Sequence, residues 1–267
     1  MAMKAVNKGT RTNGEFYTYI GGLGAMISGN DGDKFREVLA AKSIEAKEFG
    51  YTGKSGATAD VWSALTEAGV DIFKQFEGNL SSVTVKPTGS GKGENLFVTL
   101  YDEEDKVSRT VRMAYGSNMA NSLLVNLADA NRGDPVRIQF NAKVNGEFVD
   151  VNAWVLDLNK PVTKTGPDGD FETFEVLPSS GRDLISSTFK GKEMDSDERA
   201  FEMKKLVKGV RNTLIERIEG QKAESNQAYK DSLKGEGEAP KESSSQSAKA
   251  EFNPDSFDDD DNVGPAY

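Results

Sequence analysis

The middle of the chain alternates apolar and polar residues with a period of two. Residues 81–86, 95–101 and 106–115 follow that alternation and predict three consecutive antiparallel strands. Two further strands are predicted over 135–144 and 147–158, linked by Asn145-Gly146, a dipeptide that favours a two-residue hairpin turn. In the first of this pair Val136, Ile138, Phe140, Ala142 and Val144 point one way, and Arg137, Gln139, Asn141 and Lys143 the other. One face is therefore core and the other is wet. A helix over about 118–131, with Gly133 behind it, separates the two groups of strands.

The flanks change period. Residues 15–20 are aromatic and β-branched, bounded by Gly14 and Gly21-Gly22, and predict another strand. Residues 33–49 carry Phe35, Val38, Leu39 and Ile44 at helical spacing and stop at Gly50, as a helix with a C-terminal glycine would. A glycine-rich loop over 53–56 leads to a second helix, from Thr58 or Ala59 to 76, ending at Gly78. After Pro161 comes a turn-rich run, 165–169, and an extra strand over 171–177. A long helix then begins near Asp195 and runs to about 219, with Met203, Leu206, Val207, Val210, Leu214 and Ile218 on one stripe. Asp195 and Glu198 have capping-box spacing, with Asp in place of the usual Ser or Thr. Such a stripe docks on the core or on a neighbouring subunit, so a homo-oligomer is an open expectation.

Five strands with a helix before the last pair is the element order of an oligonucleotide-binding barrel. The expected class is α+β, mainly β: an OB-fold-like five-stranded barrel within about 80–160, added helices, and a disordered acidic tail. The expected division is a core over 1–220, a linker over 221–254 that is too poor in apolar residues to offset its ordering entropy, and a tip over 255–267.

Composition narrows the chemistry. The chain has 267 residues and neither cysteine nor histidine, which removes disulfides, thiol nucleophiles, the usual zinc ligands and the commonest general base. We expect no catalysis, no cofactor and no metal. The polar N-terminus lacks a secretory pattern and no stretch has the ~20 apolar residues of a membrane span, so the expected location is cytoplasmic, without membrane contact. The net charge is −10, but it is unevenly spread: 221–267 holds five Lys and no Arg against eleven Asp and Glu, a net −6, leaving −4 for the rest.

The chain closes on Phe257-Asp258-Asp259-Asp260-Asp261-Asn262-Val263-Gly264-Pro265-Ala266-Tyr267. This ending resembles the acidic tip of bacterial and bacteriophage single-stranded DNA-binding proteins, in which a polar linker leads to Phe, an Asp run, Pro and a terminal aromatic. Phe257, Asp258, Asp259, Asp260, Asp261, Pro265 and Tyr267 fall on those roles. The resemblance implies a protein that coats single-stranded DNA and recruits replication, recombination or repair proteins, the terminal aromatic entering an apolar pocket on the partner. Tyr267 replaces the usual Phe, Ala266 separates it from Pro265, and Asn262-Val263-Gly264 lengthens the gap. Those departures suit a phage protein serving its own machinery in an infected bacterial cell. The alternatives are an acidic chaperone for basic proteins and a virion assembly or structural protein.

Single-strand binding needs cations along the phosphates and aromatic faces for the bases. The candidates are Arg109, which shares a strand face with Tyr115, together with Arg112, Arg137 and Lys143, Trp154 beside Phe148, Asp150 and Asn152, and Tyr17 and Tyr19, one pair of the 16–20 alternation facing the core. Trp154 is read either as an exposed stacking platform or as a ring packed beneath the C-terminal helix. Lys92 lies in Pro87-Thr88-Gly89-Ser90-Gly91-Lys92-Gly93, which falls short of a phosphate-binding loop because Lys86 stands where a glycine is needed and Gly93 where Ser or Thr would hold magnesium. A basic hairpin loop closing over DNA, or equally a plain hairpin turn, fits better than a nucleotide site. The acidic run 102–105 lies between strands and reads as a solvated turn rather than a metal site.

Overall fold

The computed structural model describes residues 14–45, 49, 55–145, 148–160, 163–165 and 171–235. Eight strands form one curled mixed sheet: β1 (Gly14–Ile20), β2 (Ala25–Ser28), β3 (Ile72–Phe73), β4 (Gln75–Pro87), β5 (Glu94–Asp102), β6 (Val107–Ala114), β7 (Pro135–Asn145) and β8 (Phe148–Asp157). Their order is β3-β2-β1-β6-β5-β4-β7-β8, and a separate two-stranded ribbon pairs β9 (Thr163–Thr165) with β10 (Phe171–Thr173). The helices are α1 (Gly32–Ala41), α2 (Ser55–Glu67), α3 (Asn118–Asn126), α4 (Ser180–Phe189) and α5 (Ser196–Gly235). The class is α+β, mainly β.

β4 is the bend on which the sheet turns. Gln75 to Asn79 pair with β7 while Asn79 to Pro87 pair with β5, and the register slips between Leu80 and Ser82. Gly78 makes this possible: its φ is +151°, and a Cβ there would lie 2.7 Å from the Tyr101 carbonyl oxygen. A bulge and a left-handed residue together coil the strand so that one sheet serves both neighbours.

Alternation then sorts the faces. Leu96, Val98 and Leu100 of β5, Val111 and Met113 of β6, and Val136, Ile138 and Phe140 of β7 point inward. α3 and α5 seal that interior with Met119, Leu123, Val207, Leu214 and Ile218. A second cluster lies on the opposite surface of β1 to β3, where Phe35 and Leu39 of α1 and Val61 and Leu65 of α2 cover Ile20 and Ile27.

Several boundaries differ from those expected. α1 stops at Ala41 because Ser43 adopts φ +56°, and α2 stops at Glu67 with Gly69 at φ +72°. Residues 72–73 and 75–78 consequently belong to strands rather than to the second helix. Ser55 and Gly56, expected in a loop, open α2. α3 ends at Asn126 rather than near 131, and the strand expected over 171–177 keeps only Phe171–Thr173, with Val176 making an isolated bridge to Leu156.

The largest correction is to α5, which continues through Gly235 where a disordered linker was expected from 221. The linker was argued from missing apolar residues, yet an exposed helix needs none. Lys, Ala, Glu and Gln favour helix, and Ser225 donates to the Gln221 carbonyl while Gln227 donates to Asp231 one turn on. The remaining linker, 236–254, and the tip, 255–267, lie outside the described residues.

Candidate nucleic-acid interface

Among the described residues, no helix covers the second, outward face of the strands β6-β5-β4. On β5 that face holds Asn95, Phe97, Thr99 and Tyr101. Phe97 is half-buried and lies opposite Arg112 of β6 and Thr84 of β4. Tyr101 is 37% exposed, four residues along the same strand face, hence about 13 Å from Phe97. Lys86 lies opposite Asn95 and has no ion-pair partner among the described residues. Arg112 reaches Thr18 Oγ1 of β1 at 3.4 Å, and Phe16 shares the outward face of that neighbouring strand. Two rings and two cations thus sit on one face that no described helix covers.

Neither Phe97 nor Tyr101 was among the residues expected from the sequence. The signal was present: in Leu96-Phe97-Val98-Thr99-Leu100-Tyr101 the aliphatic residues take the core parity, which leaves both aromatics on the wet one. Aromatic rings facing water on a strand that already has a complete apolar face need a reason other than packing.

Of the expected candidates, Arg112 falls on this surface, and Lys92 stands exposed at the tip of the β4–β5 hairpin. That tip is shaped by the Thr88 amide donating to the Gly93 carbonyl at 2.8 Å and by Gly91 at φ +65°. Arg137 lies on the outward parity of β7, but its Nε donates to Glu77 Oε1 at 2.5 Å and its guanidinium stacks 4.1 Å from the Phe174 ring centre. Its charge is already balanced. Lys143 pairs with Asp150 through the backbone of β7 and β8, and its side chain lies outside the described residues.

Arg109 requires a correction. It does share a strand face with Tyr115, but that is the core face, and Arg109 is 3% exposed. Its guanidinium donates to Glu15 Oε2 at 3.0 Å, to Asp105 Oδ2 at 2.7 Å and to Asp102 Oδ2. Burial alone lowers its proton affinity, yet the three carboxylates raise it on balance. Burial likewise raises Asp102, but amides of Asp105 and Glu104 and the Arg109 guanidinium hold it below the ordinary carboxylate range. The acidic run at the β5–β6 turn is therefore partly consumed in fixing one arginine.

Tyr17 and Tyr19 are also on the core side. Tyr17 is 6% exposed, donates its hydroxyl to Glu15 and meets Phe73 edge-on at 5.2 Å. Tyr19 packs against Phe140 at 5.2 Å, and burial raises the pKa of both phenols. Phe16 is the outward member of that strand. Tyr115 lies beneath the Arg211 guanidinium of α5, 5.0 Å from its ring centre.

Trp154 is 41% exposed on the outward parity of β8, opposite Gln139. β8 is an edge strand, and α3 covers its free edge: Ser122 Oγ accepts from the Ala153 amide at 3.1 Å, and Asn126 Nδ2 donates to the Ala153 carbonyl at 3.0 Å. The edge is thereby closed to pairing with another strand.

The chain matches no protein-family model, and no curated protein matches it. Among the described residues, no helix is long and apolar enough to cross a membrane. The candidate tip residues Phe257, Asp258, Asp259, Asp260, Asp261, Pro265 and Tyr267 lie outside the described residues.

Proposed function

We propose that the protein is a non-catalytic single-stranded DNA-binding protein that coats the strand in replication, recombination and repair. The observation that carries this reading is the outward face of β4, β5 and β6, which no described helix covers, with Phe97 and Tyr101 as stacking surfaces and Arg112 and Lys86 as phosphate partners. Bases stack on flat rings whatever their identity, while cations follow the backbone, so this surface suits binding without sequence preference.

Strand order supports the same reading. β4, β5 and β6 form a meander, α3 follows, and β7 returns to the far side of β4 with β8 beyond it, which is the order of an oligonucleotide-binding barrel. In that architecture the second and third strands, here β5 and β6, and the loops after the first and fourth strands make the interface. The loop after β4 carries Lys92. The departure is at closure: β1 lies parallel on β6, bringing β2 and β3 with it.

The tail supplies the second half of the proposal. An acidic, aromatic-ended tether over 255–267 recruits replication or repair partners in a bacterial cytoplasm, of the cell itself or of a phage-infected host.

The test is a fluorescence-anisotropy titration of labelled single-stranded DNA across salt, with double-stranded DNA and RNA as comparisons. Single-strand coating predicts tight binding that weakens steeply with salt, and about tenfold weaker binding on Phe97→Ala or Tyr101→Ala. Absence of binding at low salt, or equal affinity for the duplex, sinks the proposal.

A further inference from the structure

An open cavity of about 360 Å³ lies beside Trp154, where β8, α3, α4 and α5 meet. Its wall combines the Trp154 ring and the apolar side chains of Ile185, Met203 and Val207 with the carboxamides of Asn118, Asn121 and Asn152. The volume falls in the range of small-molecule sites, about 300–1,000 Å³, and the mixture of a ring, aliphatic wall and a few polar groups is what such sites share.

The hydrogen-bonding capacity of these amides is only partly used. Asn121 Nδ2 donates to the Gly116 carbonyl at 3.3 Å, which leaves its Oδ1 unengaged by any described residue. Asn152 Oδ1 accepts from the Ser122 hydroxyl, which leaves its Nδ2. Asn118 is exposed at the start of α3, with neither amide atom engaged by a described residue. Donors and acceptors therefore converge on the cavity from two elements.

The cavity floor is rigid. Asn126 is 7% exposed and fully occupied: its Nδ2 donates to the carbonyls of Ser122 and Ala153, and its Oδ1 accepts from Arg182 at 2.8 Å. Arg182 also donates to the Leu177 carbonyl at 2.6 Å. One helical turn beyond Val207, Arg211 is laid over Tyr115, three residues before Asn118.

We propose that this cavity receives one nucleobase of the bound single strand, unstacked from its neighbours and laid on Trp154, with its polar edge toward Asn118, Asn121 and Asn152. The inference rests on the single-strand reading above. An aromatic face fits a base of any kind, and carboxamides, which both donate and accept, satisfy the edge of any base. Register supports continuity with the main surface: Trp154 stands opposite Gln139, and Gln139 opposite Gln75, all on the outward parity shared with Phe97 and Arg112.

The test uses the full chain carrying Trp62→Phe, so that emission reports Trp154 alone, the chain having two tryptophans. Labelled oligo(dT) is followed by anisotropy and Trp154 by emission in the same titration, beside an abasic strand of equal length. The expected result is quenching by oligo(dT) and little change with the abasic strand bound through its phosphates. Trp154→Ala should weaken oligo(dT) binding roughly tenfold, the equivalent of one lost stack, and Trp154→Phe should restore most of it.

Oligo(dT) binding with unchanged emission, or equal quenching by the abasic strand, overturns the cavity assignment and leaves the single-strand reading standing. No anisotropy change at all overturns both. A shift of Trp154 emission on deleting 257–267 without DNA assigns the cavity to the chain's own terminal aromatic and also overturns the inference.

Discussion

Arg109 Nε donates to Glu15 Oε2 at 3.0 Å, joining β6 to β1 across the parallel pairing of the large sheet. Parallel strands have no hairpin to set their register, so a side-chain clamp at the start of the pair has structural value. Two more carboxylates, Asp102 and Asp105, hold the same guanidinium from the β5–β6 turn.

Replacing Arg109 by Met should therefore damage stability rather than DNA binding. Three carboxylates would lose their common partner, and one-sided loss of a buried pair costs about 3–5 kcal/mol. Because the carboxylates reach water, we expect about 3 kcal/mol, the low end, measured by urea unfolding. The salt slope of DNA binding should stay that of the wild type; a shallower slope would return Arg109 to the interface.

Asp102 gives this clamp a pH dependence. Its folded pKa lies below the ordinary value of about 3.9, so the stability it contributes is complete above that value and is lost as pH falls through the folded pKa. Wild type should melt above Asp102→Asn at neutral pH, with the gap narrowing as pH drops below about 4. A gap that stays constant into acid would mean that the carboxylate charge contributes nothing.

How far these arrangements were legible depends on how local they are. Alternation located the second half of β4, and β5 to β8, because each strand's faces are written in its own residues. The parity of Val107, Arg109, Val111 and Met113 even marked Arg109 as a core-side residue, but its three partners were invisible, Glu15 being 94 positions away. The ends of α1 and α2 were misread because Gly50 and Gly78 looked like stops, whereas Ser43 and Gly69 took the left-handed conformations. The Trp154 cavity, built from four elements, could not be read locally at all.

A contact that curls the sheet offers a second stability test. Gly24, at φ +60°, ends the turn between β1 and β2, and a Cβ there would fall 2.1 Å from the Ala142 Cβ of β7. Gly24→Ala thus meets both backbone strain and overlap, and we expect a loss of about 2–4 kcal/mol. Ala142→Gly should recover part of that loss by removing the overlap, while the strain at φ +60° remains. Full recovery in urea unfolding would show that strain was unimportant.

Asn126 tests the sealing of β8. Asn126→Ala leaves the Ala153 carbonyl without its side-chain donor and Arg182 Nη1 without its acceptor, while Arg182 Nη2 keeps the Leu177 carbonyl, at a cost of about 1–3 kcal/mol. Faster hydrogen exchange should appear at the amide of Ala153, which bonds to Ser122 on the same helix. Unchanged exchange there would mean that Ser122 alone closes the edge.

The last prediction concerns the acidic tail, and its sign is the informative part. Under the proposed function, Asp258 to Asp261 would be tethered to the cations Lys86, Lys92 and Arg112 at an effective concentration that can reach the millimolar range, and the tail would compete with phosphate. Deleting 257–267 should leave DNA affinity unchanged or raise it, most visibly at low salt where the competition is strongest. The same deletion should abolish capture of replication or repair partners while DNA binding persists. Weaker DNA binding by the shortened chain would contradict competition and would require the tail to contribute to the DNA complex itself. Separating the two effects takes one further variant, Tyr267→Ala, which keeps every carboxylate: DNA affinity should match the full chain, and partner capture should fall.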